Sequence, residues 1–244
     1  MMTNNNKYIY NKFLKVIINL SKSLKDNKNI KILDWGCGKG DLINYLSNKN
    51  FDCYGVEISK LKFKENISEY EKKTNKKIYL INIDNKTNFE SNFFDFVLTN
   101  QVIEHVSDKE SFLSEINRIL KKGGCSYNIL PAKHRINEVH LKMPFIHWLP
   151  KNYLRKYLIY FFNLFKLNHW SECLNLTFND KVNYYYNYSI NKTFYLDANK
   201  LFNKFEKFEF CVIDQPIKIK LLNNSFFRFL RNRFFSIEFL AIKK

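Results

Sequence analysis

Apolar side chains recur along the chain at two alternating periods. Tyr10, Phe13, Leu14, Ile17, Leu20 and Leu24 return every three to four positions, the stripe of an amphipathic helix over 8–24. The pattern then alternates between strand and helix. Ile30 to Asp34 reads as a first strand, and Leu42, Ile43, Tyr45 and Leu46 as the apolar side of a helix. Phe51 to Val56 reads as a second strand closed by Glu57, followed by a charged helix from Ser59 to about Lys73. Ile78 to Ile83 is a third strand ended by Asp84, and Phe93 to Thr99 a fourth ended by Asn100. Ser107-x-x-Glu110 reads as a capping box for a helix whose buried face is Phe112, Leu113, Ile116, Ile119 and Leu120. Lys121 and Lys122 suit the negative end of that helix, and Gly123 its left-handed stop. Cys125 to Leu130 is a fifth strand, stopped by Pro131.

Repeated alternation of this kind predicts an α/β fold, a parallel sheet with helices on both faces and right-handed crossovers. The alternation breaks after Pro131. Residues 131–193 are rich in aromatics, hold four of the five histidines and show one helical pattern, Asn152 to about Leu167. It returns as a helix at Leu196 to Phe205 and strands at Phe208 to Ile213 and Ile237 to Ile242. The chain thus reads as one domain, 1–130 with 194–244, carrying an inserted substrate lobe at 131–193 over the strand carboxyl ends. The Asn-rich start is expected to be disordered.

The first strand runs into Leu33-Asp34-Trp35-Gly36-Cys37-Gly38-Lys39-Gly40. Glycines let backbone approach a ligand closely, and the G-x-G-x-G spacing differs from the G-x-G-x-x-G of dinucleotide sites. A carboxylate ahead of the loop can pair with an ammonium group. Asp34-x-Gly36-x-Gly38-x-Gly40 resembles the first motif of class I S-adenosylmethionine-dependent methyltransferases. The similarity continues through Glu57, Asp84, Phe94 to Val97, Ile103 to Val106, Arg118 to Gly124 and the final strand pair.

The resemblance implies a Rossmann-like, seven-stranded, mostly parallel sheet with a last antiparallel strand, and S-adenosylmethionine as cofactor. It implies that Asp34, Gly36, Gly38, Gly40, Glu57, Asp84, Asn85 and Asn100 bind that cofactor. Glu57 would face the ribose hydroxyls, Asp84 and Asn85 the adenine, and Asn100 the methionine part. Some members bind a divalent metal through E-x-x-E-H and a further histidine. Here the first acid is Gln101 and no histidine follows until His134, so no metal is expected. His105 and His140 are the candidate general bases, the latter with Glu138 close in sequence. His134, His140 and His147 match no compact ligand spacing.

The charge of +17 admits nucleic acid or an anionic membrane as partner. The excess is nearly all Lys, spread through a sequence also rich in Asn, Ile, Phe and Tyr, the mark of A+T-biased coding, so a solvated surface is the first reading. Lys151 to Lys166 and Phe226 to Phe235, the second with half the arginines, mix aromatics with cations and could touch anionic lipid at the periphery of a membrane. Without a span-length apolar run, a leader-like stretch or paired cysteines, the chain reads as cytoplasmic. The expected activity is methyl transfer to an oxygen of a small-molecule, sugar or lipid-linked acceptor. An RNA methyltransferase and a non-catalytic cofactor-fold subunit are the alternatives.

Overall fold

A computed structural model describes residues 4–22, 29–58, 77–82, 84–166, 176–214 and 224–244. The first half alternates as α1 (Asn4–Ser21), β1 (Lys31–Trp35), α2 (Asp41–Ser47), β2 (Asp52–Ile58), β3 (Ile78–Ile81), β4 (Phe94–Asn100), α3 (Lys109–Ile119) and β5 (Leu120–Pro131). Then come α4 (Tyr153–Leu164), α5 (Phe178–Asn191), α6 (Ala198–Lys207), β6 (Phe210–Asp214), α7 (Ser225–Phe234) and β7 (Ser236–Lys243). Among the described residues the strands form one seven-stranded sheet, ordered β3-β2-β1-β4-β5-β7-β6. All pairings from β3 to β5 are parallel, and β7 is antiparallel to both neighbours, the Rossmann-like arrangement expected. Chain order reverses between β1 and β4, and ligands of open α/β sheets lie at the strand carboxyl ends of such a switch point.

Central strands are apolar on both sides because helices cover both faces. One face packs Leu33, Val56, Val97 and Phe239 under Phe112, Ile116 and Phe205. The other packs Ile32, Phe96, Leu98 and Tyr127 under Phe13, Ile17 and Ile43. On that face the Tyr127 hydroxyl donates to Glu238 Oε1 at 2.5 Å, and Lys12 Nζ reaches Glu238 Oε2, also at 2.5 Å, tying α1 to β5 and β7.

Several sequence expectations are corrected. The Asn-rich start enters α1 from Asn4 onward. The third strand ends at Ile81, so Asp84 lies in the following loop. Asp108, not Ser107, caps α3: its carboxylate accepts from the amides of Glu110 and Ser111, both at 3.0 Å. The helix stops at Ile119, and Lys121 to Gly123 belong to β5. Gly123 adopts φ 74° there, where the pairing slips between Phe94–Leu120 and Phe96–Cys125. A bulge takes up the extra residues, and Lys121 pairs with Asp95 across it at 2.8 Å. The helix expected from Ser59 to Lys73 lies outside the described residues.

Between β5 and α6 the chain forms a helical lobe with a core of its own, Leu141, Met143, Ile146, Ile159, Phe162, Val182 and Tyr185. α4 is the helix expected there. α5 was not expected, because its Asn- and Tyr-rich run masks the apolar period. Its start was signalled by Thr177, whose hydroxyl accepts from the Asp180 amide at 3.3 Å.

Candidate functional site

The loop after β1 is bent by three glycines in left-handed conformation, Gly36 (φ 77°), Gly38 (φ 49°) and Gly40 (φ 70°). Each has a different neighbourhood. Gly36 and Cys37 donate their amides to the Val56 carbonyl at 2.8 and 3.1 Å, pinning the loop to β2. A Cβ on Gly36 would lie 2.4 Å from Val102 Cγ2, so this loop presses against the turn after β4. Around Gly38 a Cβ would meet nothing within 4 Å, which leaves open space on the side where a ligand could lie.

Two carboxylates flank that space. Asp34 is buried near the end of β1, and burial, then the charge of Glu57, raises its pKa to about 8. Glu57 reaches back from β2 and accepts from the Gly38 amide at 2.7 Å and from Ile58 N at 2.9 Å. Burial raises its pKa as well, opposed by those two amides. Two acids sharing a desolvated corner are short of positive charge, which a cationic ligand would supply. At the end of β4, Asn100 Oδ1 is buried without a hydrogen-bond partner among the described residues. A buried acceptor left open at a strand end is the kind of group a ligand donor satisfies. Asn85 is buried with φ 60°, while Asp84 is exposed and accepts from Lys86 N at 3.3 Å. Among these residues Asp34, Glu57 and the glycine loop are brought into direct proximity; Asp84 is set further out. This donor set fits the cationic, nucleoside-bearing cofactor implied by the sequence.

The turn after β4 is a short 3-10 helix, Ile103–His105. It carries the second cluster. His105 Nδ1 lies 2.5 Å from the Lys192 carbonyl, which leaves Nε2 to face elsewhere. The His140 ring, delivered by the lobe, packs against it with centroids 4.5 Å apart, and Tyr188 borders both. Glu104 is fully buried, and His140 Nε2 lies 4.0 Å from its Oε1. Among the described residues neither Glu104 oxygen nor His140 Nε2 has a hydrogen-bond partner. Desolvation raises the Glu104 pKa to about 8 and lowers that of His140 to about 4, so burial favours the neutral form of each. Glu138, the acid expected beside His140, does other work. It accepts from the backbone amides of His140 (2.8 Å) and Leu141 (2.5 Å) and from the Tyr195 hydroxyl (2.6 Å), holding the loop that presents the imidazole.

Sequence spacing alone discounted a metal because no histidine closely follows His105. Folding supplies one from the lobe: Glu104, His105 and His140 offer donor atoms within 4.8 Å of one another. Two imidazoles and a carboxylate with open valence could hold a divalent cation. His134 and His147 lie apart from this cluster. His134 Nδ1 is 3.4 Å from Asp197 Oδ1, and His147 packs on Tyr195.

Comparison with known proteins agrees with this geometry. Residues 33–127 match the family model described as a methyltransferase domain. A ubiquinone biosynthesis O-methyltransferase of Pelagibacter ubique is 31% identical over 113 residues, 44% of this chain and 45% of that protein. A probable chloroplastic tocopherol O-methyltransferase of Oryza sativa is 25% identical over 48% of this chain and 35% of its own length. The chain therefore aligns with less than half the length of either relative. Among solved structures, phosphoethanolamine N-methyltransferase 2 of Haemonchus contortus in complex with S-adenosyl-L-methionine superposes with a TM-score of 0.54 at 14% identity, covering 94% of this chain and 52% of that one. Residues 33–127 thus match a methyltransferase domain, and the chain shares the fold of solved methyltransferases.

Proposed function

We propose that the protein transfers a methyl group from S-adenosylmethionine to a hydroxyl oxygen of a small, lipid-linked acceptor. The carrying observation is the unpartnered His140 Nε2, buried against His105 and Glu104 in a cluster that the Gly36–Val102 contact joins to the glycine loop. S-adenosylmethionine, when bound, supplies a methyl already activated on a sulfonium. The chain therefore has to bind, align and exclude water, and alignment alone can supply roughly 7–11 kcal/mol of the barrier. In this reading Asp34 and Asn100 hold the methionine end. Glu57 takes the ribose hydroxyls, Asp84 and Asn85 flank the adenine, and the loop of Gly36, Gly38 and Gly40 bends around the ligand, with the open space at Gly38. A hydroxyl must lose its proton as it attacks, and His140 Nε2 accepts it, with His105 and Glu104 shaping the cleft.

Both relatives named above are by name O-methyltransferases, one of ubiquinone biosynthesis and one of tocopherol, which favours oxygen as the acceptor atom. The surface favours an apolar acceptor. α7 buries none of its residues; it exposes Phe226, Phe227 and Phe229 beside Arg228 and Arg233. Its C-terminal end abuts the lobe at the sheet's carboxyl edge, where His134 N donates to the Arg233 carbonyl at 3.1 Å. Tyr153, Tyr157 and Phe161 are exposed on α4. Among the described residues no helix is long and apolar enough to cross a membrane.

The test is a screen of fractionated cell extract with methyl-labelled S-adenosylmethionine. Label is expected in the organic-soluble fraction, on a product stable to mild base. Label in RNA, lost steeply with added salt, would move the acceptor to nucleic acid. No label anywhere, with cofactor binding intact, would leave a non-catalytic subunit. For Glu57, replacement by Ala should weaken cofactor binding by ~1–3 kcal/mol, because the ribose hydroxyls lose a charged acceptor. An unchanged dissociation constant in calorimetry would confine Glu57 to holding its own loop.

A further inference from the structure

A second cleft opens on the far side of the segment that carries Lys192 to Leu196. It has a volume of about 710 Å³ and is lined by Lys109, Lys133, Lys151, Arg155 and Lys204, with Asp108 and Glu110 as its acids. Two cations have acidic partners: Lys133 pairs with Asp197 at 3.0 Å and Lys204 with Glu110 at 3.1 Å. Asp108 is already engaged in capping α3. Among the described residues the other three cations donate to carbonyls only. Lys109 Nζ donates to Val106 O and Phe194 O, both at 2.8 Å. Lys151 Nζ donates to Ile190 O (2.6 Å) and Thr193 O (2.7 Å). Arg155 is buried and donates to Ser189 O at 3.0 Å and to Leu149 O. Its Nε has no partner, and neither does Nδ1 of His147, which also lines the cleft.

Buried cations are normally paired. Lys109 and Arg155 are buried and Lys151 lies exposed beside them. Among the described residues none of the three has a carboxylate at ion-pair distance, although the charges of Glu104 and Glu138 reach Lys109 and Arg155. The crowding is felt by the groups themselves. After burial, Lys204 and Lys151 help hold the Lys109 ammonium down to about 8, and Arg155 lowers Lys151. Glu104 opposes the fall at Lys109, but desolvation favours its neutral form. Nothing in the methyl-transfer reading uses this charge, because the donor is itself cationic.

We infer that this cleft binds a phosphate-class oxyanion. Lys109, Lys151 and Arg155 would meet it, and Lys133 and Lys204 would swing from their surface acids to its rim. An oxyanion there lies beyond the wall from the His105–His140 cluster, since that wall donates Phe194 N to Glu104 O at 2.6 Å and turns the Lys192 carbonyl to His105.

The experiment titrates inorganic pyrophosphate into the purified protein by calorimetry without S-adenosylmethionine, so its outcome is independent of methyl transfer. A parallel arm measures sedimentation with phosphatidic-acid vesicles. The variant is Lys151→Gln with Lys204→Gln, both reachable from solvent, which leaves the deeper Lys109 and Arg155 intact for folding. A control, Lys22→Gln with Lys49→Gln, removes the same charge from exposed sites elsewhere. We expect one-site pyrophosphate binding that weakens at least tenfold in the cleft variant and not in the control. Vesicle binding that pyrophosphate displaces, and that the same variant loses, would also support the site and assign the anion to a lipid headgroup. No binding in either arm, or equal losses in variant and control, would overturn it.

Discussion

Replacing Gly38 by Val should weaken S-adenosylmethionine binding by about 100-fold or more, equivalent to ~2.7 kcal/mol, while the chain still folds. The two halves of that result have separate causes. In the folded protein a Cβ at this position meets nothing within 4 Å, so the side chain is accommodated. What it occupies is the open space beside Asp34 and Glu57. The backbone at φ 49° does strain a β-branched residue, at a cost of roughly 1–3 kcal/mol. For a chain of this size that lowers the melting temperature by roughly 2–12 °C. Gly38→Ala shares the backbone strain but offers one methyl group, so it should lose less affinity than Val. Calorimetry and thermal melting of the pair separate occupancy from strain. Wild-type affinity in the Val variant would remove the loop from the cofactor site.

The second large effect is on turnover. His140→Ala should lower kcat by roughly 10²–10⁴-fold, the usual contribution of a positioned base, with the affinity for S-adenosylmethionine unchanged. His140→Asn, which keeps a polar side chain in the lobe but no basic nitrogen, should be as slow. If Asn restores the rate, His140 merely fills space. The same assay after exhaustive chelation addresses the cation alternative. Activity that survives chelation agrees with a proton acceptor. Activity lost, and then restored by a divalent ion, would reassign Glu104, His105 and His140 to a metal.

The alternating core was legible because its strands are short apolar runs with chemistry at their ends. Leu33 and Ile32 point to opposite faces of β1, each buried, as a strand covered on both faces requires. The glycine loop was legible for a related reason: three glycines at that spacing serve left-handed backbone conformation, and at Gly36 close packing against Val102 as well. Boundaries were less so. Ser107 and Asp108 are both good caps, and the choice depends on where the chain turns from β4. The run Lys121 to Gly124 is a helix ending by composition but a bulged strand by tertiary pairing with β4. The meeting of His105 with His140 could not be read at all. It spans 35 positions, and depends on a lobe whose helix α5 hides its period in Tyr and Asn. The unexpected role of Glu138 has the same origin, since backbone amides compete for a carboxylate only once a loop has folded around it.

The lobe leaves the sheet after Pro131, returns before α6 and closes over its own apolar centre. Its interior can therefore be rewritten without disturbing the layers beneath, so long as its seams are kept, among them those of Lys192 with His105, Lys133 and His134 with Asp197, His134 with Arg233 and Glu138 with Tyr195. The matched stretch ends at residue 127, just before that departure. Under the proposed function the cofactor end belongs to the sheet and the choice of acceptor to the lobe, so exchanging residues 131–193 between related chains would need only two cut points.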